Sequence, residues 1–282
     1  MQIPYTALLL ALLGLASASQ ASDSQWRDVD ASKLIYIDTP DGRVVVELND
    51  RFAEQTVAHF KQLVQDGFYD GLTFYRVIDG FVAQAGDGSD ISDEIGAERE
   101  PLIAEFERPW NADWPWMPVQ APDMFAAETG FMDGFPVARD GDASWLVHCP
   151  GTFAMARGNA ADSGYSDFYI VIGQAPRYLD RNLTVFGRVI DGMAVVQQVL
   201  RGPVDKGGVI ESPSQRTAIS QVKLASDLLD EERIDYQVIN THHADFEKML
   251  HDRRERANEW FLFKPPPVLD VCQVPVAVRR KP

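Results

Sequence analysis

The sequence predicts a mainly β protein, an antiparallel barrel of short strands with two helices and a further helix near the C-terminus. Short runs rich in Val, Ile, Phe and Tyr recur between turn signals, whereas apolar residues fall at helical spacing in only three stretches. A 45% hydrophobic content over 282 residues is enough for a real core. The balance of 26 Lys and Arg against 42 Asp and Glu gives a net charge of −16, which argues against a nucleic-acid binder, since that composition does not favour the clustered positive charge such a protein needs.

The N-terminus comes first. An apolar run from Ala7 to Leu15, followed by Ala16-Ser17-Ala18 and Ser19-Gln20-Ala21, reads as a secretory signal peptide over 1–21, cleaved after Ala18 or Ala21. Its start lacks the usual Lys or Arg, and the run is too short to span a bilayer. The mature chain is therefore expected in the periplasm or outside the cell, without stable membrane insertion. Two cysteines, Cys149 and Cys272, remain in it. Two readings stand for them: a disulfide tying a C-terminal tail to the body, or two buried thiols.

Lys33 to Leu48 reads as a hairpin over Pro40-Asp41-Gly42. Asn49 or Asp50 then offers a cap for an amphipathic helix with Val57, Phe60, Leu63 and Val64 on one face and Gly67 at its end. Phe74 to Ala85 forms a second strand pair around Asp79-Gly80. "GTFAMAR" and "SDFYIVIG" give two more strands around a small, polar loop, and "NLTVFGRVI", a Gly192 to Leu200 helix and "RTAISQVKLASDLL" close the sheet.

Two regions break this rhythm inside a barrel placed at 31–229. An insertion at about 98–146 holds four of the six tryptophans. A C-terminal extension at 230–282, expected to pack on the barrel, sets Phe246, Met249, Leu250, Ala257, Trp260 and Phe261 at helical spacing before Pro265-Pro266-Pro267. Each is too short to bury a core alone.

Within "FYRVIDGFVAQAGD", Arg76 and Gln84 sit among residues otherwise suited to burial. Taken in order with "GTFAMAR", "SDFYIVIG", "YLD" and "VFGRVIDGM", this segment resembles the cyclophilin-type peptidyl-prolyl cis-trans isomerases over roughly Lys33 to Leu229. The resemblance implies a closed eight-stranded barrel capped by two helices, and a non-covalent reaction with no cofactor. Arg76 matches the family's catalytic arginine, Phe81 its pocket phenylalanine and Gln84 the glutamine that contacts the substrate backbone. Val82, Tyr169, Leu179 and Leu183 fall at pocket positions, Leu183 on the rim, with Phe186 under the floor and Tyr178 in support at the family's indole-bearing position. The backbone at Ala156 and Arg157 matches the edge that pairs with an extended peptide.

A two-residue turn over Asp79-Gly80 would set Arg76 opposite Ala83 and leave Gln84 on the other face. The resemblance therefore implies a bulge near Gly80. Tyr178 in place of an indole, Leu183 in place of a histidine, Asp167 in place of a glutamine and Tyr169 in place of a phenylalanine weaken the expectation of cyclosporin binding.

Other classes find little support. His59, His148, His242, His243 and His251 form no ligand set, so no metal site is expected. Gly164-Tyr165-Ser166-Asp167-Phe168 starts like a hydrolase nucleophile elbow but lacks its final glycine. The expected function is prolyl isomerisation on proline-containing segments of unfolded or flexible exported proteins. The rival reading is a peptide- or protein-binding module on the same fold with little turnover.

Overall fold

The computed structural model describes residues 24–88 and 102–281. The expected signal peptide and the first residues of the insertion, 98–101, lie outside the described residues. The described residues begin with β1 (Trp26–Asp28) and the hairpin β2 (Leu34–Thr39) and β3 (Gly42–Leu48), followed by α1 (Glu54–Gln65), β4 (Thr73–Ile78) and β5 (Val82–Gly86). The insertion supplies β6 (Arg108–Pro109), β7 (Met117–Gln120), β8 (Glu128–Met132), β9 (Phe135–Asp140) and β10 (Ala143–Leu146). Then come β11 (Thr152–Met155), β12 (Phe168–Val171), β13 (Val185–Asp191), α2 (Met193–Val196), β14 (Thr217–Ala218) and β15 (Gln221–Leu224). The tail contributes β16 (Tyr236–Ile239), α3 (Ala244–Glu255) and β17 (Val278–Arg280).

The main sheet has nine strands in the order β14-β4-β5-β12-β11-β13-β3-β2-β15, antiparallel throughout. This corrects the expectation of a closed eight-stranded barrel, because the sheet is open between β14 and β15. One short segment serves both edges: Thr217 pairs with Phe74, and Gln221 pairs with Asp38. Between them Ile219 N–H donates to Leu72 C=O and Ser220 N–H to Asp38 C=O, so the chain crosses the gap without a ladder.

Alternation explains which side chains enter the core. Ala83 and Ala85 of β5, Phe153 and Met155 of β11 and Phe168 and Ile170 of β12 point inward. Phe60 of α1 meets the rings of Phe153, Phe168 and Phe186 at 5.4, 5.9 and 5.2 Å.

Helix boundaries differ from those expected, for identifiable reasons. Asn49 Oδ1 accepts from Phe52 N–H in a local turn, and α1 starts only at Glu54. Its free amides are met from the insertion instead: the Glu105 carboxylate accepts from Gln55 N–H at 3.1 Å and Thr56 N–H at 2.8 Å. The Gly192 to Leu200 helix shortens to α2, since Arg201 Nη1 takes the carbonyls of Gln197 and Val199. α3 stops at Glu255, where Arg256 turns left-handed with φ 44°. Ala257, Trp260 and Phe261 therefore lie beyond it, and Trp260 is 82% exposed.

The insertion forms a five-stranded sheet, β6-β10-β9-β8-β7, and β1, β16 and β17 form a three-stranded one. Phe131, Trp145 and Val147 from the insertion and its exit pack with Phe246 and Leu250 of α3 and Leu269 and Val271 of the tail. Cys149 and Cys272 are joined by a disulfide within this cluster. Trp110, Trp114 and Trp116 pack together, with Arg139 over Trp110 and Phe52 against Trp114.

Candidate active site

On the outer face of β5 and β12 and just past the end of β11, the alternation that sends Ala83 and Phe168 inward sends Val82, Gln84, Ala156 and Tyr169 outward. Tyr169 lies opposite Gln84 in the ladder, and Val171 opposite Val82. Val82, Gln84, Ala156 and Tyr169 join Arg76, Phe81, Arg157, Leu179 and Leu183 around one open cavity of about 330 Å³. Nine of the residues singled out in the sequence thus share one wall. Phe186 does not reach it, being fully buried among Phe60 and Phe153. Tyr178 stands 67% exposed and does not line the cavity.

The β4–β5 turn resolves the register conflict. Ile78 pairs with Val82, not Phe81, so three residues make the turn. Phe81 N–H donates to Ile78 C=O and Gly80 sits at φ 69°, a turn closed by a glycine bulge. Arg76 then faces Gln84 directly. A second irregularity, at Tyr75 between Phe74 and Arg76, brings the tyrosine hydroxyl beside the same glutamine.

Hydrogen-bond inventory orients this group. Arg76 has only donors; its Nη1 donates to Gln84 Oε1 at 3.0 Å and its Nε to Gly207 C=O at 3.1 Å. Gln84 Nε2 must then face Tyr75 Oη, 2.6 Å away, and the tyrosine proton goes to Asp167 Oδ2, also at 2.6 Å. Asp167 Oδ1 accepts from Gly88 N–H at 3.1 Å. Gly86 makes room for that carboxylate, since a Cβ there would stand 1.9 Å from Asp167 Oδ1.

A second chain runs behind Tyr169. Asp180 Oδ1 accepts from the His148 backbone N–H at 2.9 Å and faces His148 Nδ1 at 3.0 Å; His148 Nε2 meets Tyr169 Oη at 2.8 Å. In the neutral imidazole the carboxylate fixes the proton on Nδ1, so Nε2 accepts from the phenol. Asp180 Oδ2 and Asp123 Oδ1 both accept from Arg177, at 2.7 and 3.0 Å, linking the pocket to the insertion. Burial pushes the Asp180 carboxyl up, but the His148 hydrogen bond and the Arg177 guanidinium outweigh it and hold it below the usual carboxylate range. Burial pushes the Tyr169 phenol well above its ordinary value, and the Asp180 charge adds to this.

Sequence reasoning assigned no role to Tyr75, His148, Arg177 or Asp123. Asp167 and Tyr169, two departures from the family pattern, were the available signals, because each introduces a polar group that burial obliges the fold to satisfy.

A family model for the cyclophilin type peptidyl-prolyl cis-trans isomerase/CLD matches residues 34–224. A probable peptidyl-prolyl cis-trans isomerase of Brucella suis is 29% identical over 186 residues, covering 66% of this chain and 81% of that protein. Peptidyl-prolyl cis-trans isomerase B of Bacillus subtilis is 30% identical over 175 residues, covering 62% of this chain and 95% of its own. The crystal structure of a cyclophilin from Hirschia baltica superposes with a TM-score of 0.73 at 27% identity, over 90% of this chain and 93% of that one. The order of the motifs, the mainly β sheet and these likenesses agree: the chain belongs to the cyclophilin family of peptidyl-prolyl cis-trans isomerases.

Proposed function

We propose that the Arg76 cavity is the isomerase active site, that Arg76 is its catalytic residue, and that the enzyme assists proline-limited folding of exported proteins. The observation that carries this reading is a guanidinium held by two neutral acceptors, Gln84 Oε1 and Gly207 C=O, beside an apolar wall. Its charge stays available to a ligand.

Rotation about a prolyl peptide bond is opposed by resonance, with a barrier of about 18–20 kcal/mol. Phe81, Val82, Leu179, Leu183 and the ring of Tyr169 hold the proline ring. Arg76 donates to the prolyl nitrogen as it becomes pyramidal, which draws its lone pair out of conjugation and is realised only in the transition state. One such preorganised charged donor is worth about 3–4 kcal/mol, a factor of roughly 10²–10³. The step makes and breaks no covalent bond, so it calls for no nucleophile and no cofactor.

Substrate alignment follows from unused backbone groups. Ala156 N–H is spent on Asp167 C=O, while the Arg157 backbone N–H and C=O take no partner among the described residues. They fit an extended peptide, and the substrates are proline-containing segments of unfolded or flexible chains. Export is supported by the signal-like sequence at 1–21 and by the disulfide, a bond that persists in oxidising compartments. Tyr178, in place of an indole and outside the cavity lining, supports weak cyclosporin binding.

The test is refolding of a protein whose slow phase is set by a native cis proline. Catalytic amounts of the mature enzyme accelerate that phase. Binding to the refolding chain without acceleration would instead favour a recognition module. N-terminal sequencing of the exported protein should begin at Ser19 or Ser22; an intact Met1 would overturn the export reading.

A further inference from the structure

We propose that the side chain of Arg157 is a specificity residue that selects substrates carrying an acidic side chain next to the proline. This rests on the cavity being the isomerase active site. Of the nine residues lining it, only Arg76 and Arg157 are charged, so in a chain of net charge −16 the pocket is locally positive.

The Arg157 guanidinium is held in place by groups that leave its charge intact. Nε donates to Asn182 C=O at 2.9 Å, and Nη1 donates to Gly158 C=O at 2.8 Å and Asn159 C=O at 3.3 Å. Its carbon stands 5.6 Å from the centre of the Phe106 ring, so an aromatic face supports it as well. Neither an acidic partner nor any acceptor for Nη2 lies within bonding distance among the described residues.

Three carbonyls and a ring fix the plane of the guanidinium before any ligand arrives, so little rotamer entropy is lost on binding. The two Nη2 hydrogens remain for an oxygen acceptor. A carboxylate gives a charge-assisted bond there, whereas a neutral amide of the same shape gives only the weaker one. Arg181, next in sequence to the Asn182 whose carbonyl holds Arg157, shows the contrast, because Glu107 already neutralises it at 2.6 Å. Because the Arg157 backbone is the proposed peptide edge, its side chain lies beside the residues that flank the bound proline.

The experiment is isomerisation and binding of short peptides with Glu, Gln or Lys placed singly at each of the three positions on either side of the proline. At one position the wild-type enzyme should prefer Glu over Gln by about two- to fivefold in kcat/KM, the range a partly solvated ion pair supplies. Lys should fall below Gln. In Arg157→Gln the Glu/Gln ratio should collapse to about one, and in Arg157→Lys part of it should return. A wild-type ratio of one at every position, or a preference that persists in Arg157→Gln, overturns the proposal. If no peptide is turned over, the isomerase reading fails instead, and the same Glu/Gln ratio read from dissociation constants still decides the role of Arg157.

Discussion

Replacing Tyr169 by Phe restores the residue the family places at this position, yet the structure predicts a loss of stability. The hydroxyl is buried, and it meets His148 Nε2 at 2.8 Å on a histidine with no exposed surface. Removing it leaves Nε2 without its partner in a site water does not reach. The imidazole cannot turn to find another, because Asp180 holds Nδ1. A stranded buried acceptor costs about 1–3 kcal/mol, and the small void left by the oxygen adds to this. Part is returned because a phenol no longer has to be desolvated, which leaves about 1–2 kcal/mol net. At roughly 2–4 °C per kcal/mol for a chain of this size, Tm falls by about 2–8 °C. The assay is denaturant unfolding of the mature, disulfide-intact protein, with peptide isomerisation alongside. The ring that faces the cavity stays, so kcat/KM should move by less than about threefold. A Phe variant as stable as the wild type would refute the claim that His148 depends on this phenol.

Other outcomes follow from the same networks. Asp180 has a depressed carboxyl pKa in the folded state, so its stabilising contribution is fully present above the unfolded value near 4 and is lost as pH falls through the folded one. Asp180→Asn should therefore destabilise at neutral pH by about 3–5 kcal/mol and flatten the acid limb of stability; an unchanged limb would contradict the assignment. Tyr75→Phe removes the acceptor for Gln84 Nε2, frees the amide to turn its oxygen from Arg76, and should lower kcat by about three- to tenfold with a smaller change in KM. Equal loss in both would indicate a structural role only. The disulfide joins residues 123 apart in sequence, so its reduction should cost about 5 kcal/mol on the chain-entropy account, read as a drop in the denaturation midpoint. Tyr178→Trp should raise cyclosporin sensitivity, measured as inhibition of peptide turnover, and no change would refute the claim that the missing indole weakens cyclosporin binding.

The strands and the cavity were largely legible in the sequence because both follow from alternation and motif order. Val82, Gln84, Ala156 and Tyr169 sit where period-two spacing places an outward face, but counting residues around Gly80 alone set Arg76 opposite Ala83, and only the family resemblance implied the bulge. Other features rest on long-range partners that local patterns do not encode. α1 takes its N-terminal acceptor from Glu105, about fifty residues away, so the local cap signals at Asn49 and Asp50 misled. Trp260 and Phe261 kept helical spacing, but spacing does not report whether anything covers a face, and the chain had already turned at Arg256. The His148–Asp180 pair was hidden for the same reason: a lone histidine in sequence carries no sign of the buried carboxylate that meets it.

The central claim is that the Arg76 guanidinium, held by Gln84 and Gly207, drives rotation about the prolyl bond. Isomerisation of short X-Pro peptides by the mature protein, beside Arg76→Ala of verified fold and with peptide binding measured in parallel, tests it most directly. The account predicts turnover well above the spontaneous rate, reduced by about 10²–10³ in the variant while the peptide still binds. Contradiction would come from a folded wild-type protein that binds the peptides without accelerating them, or from an Arg76→Ala enzyme as fast as the wild type.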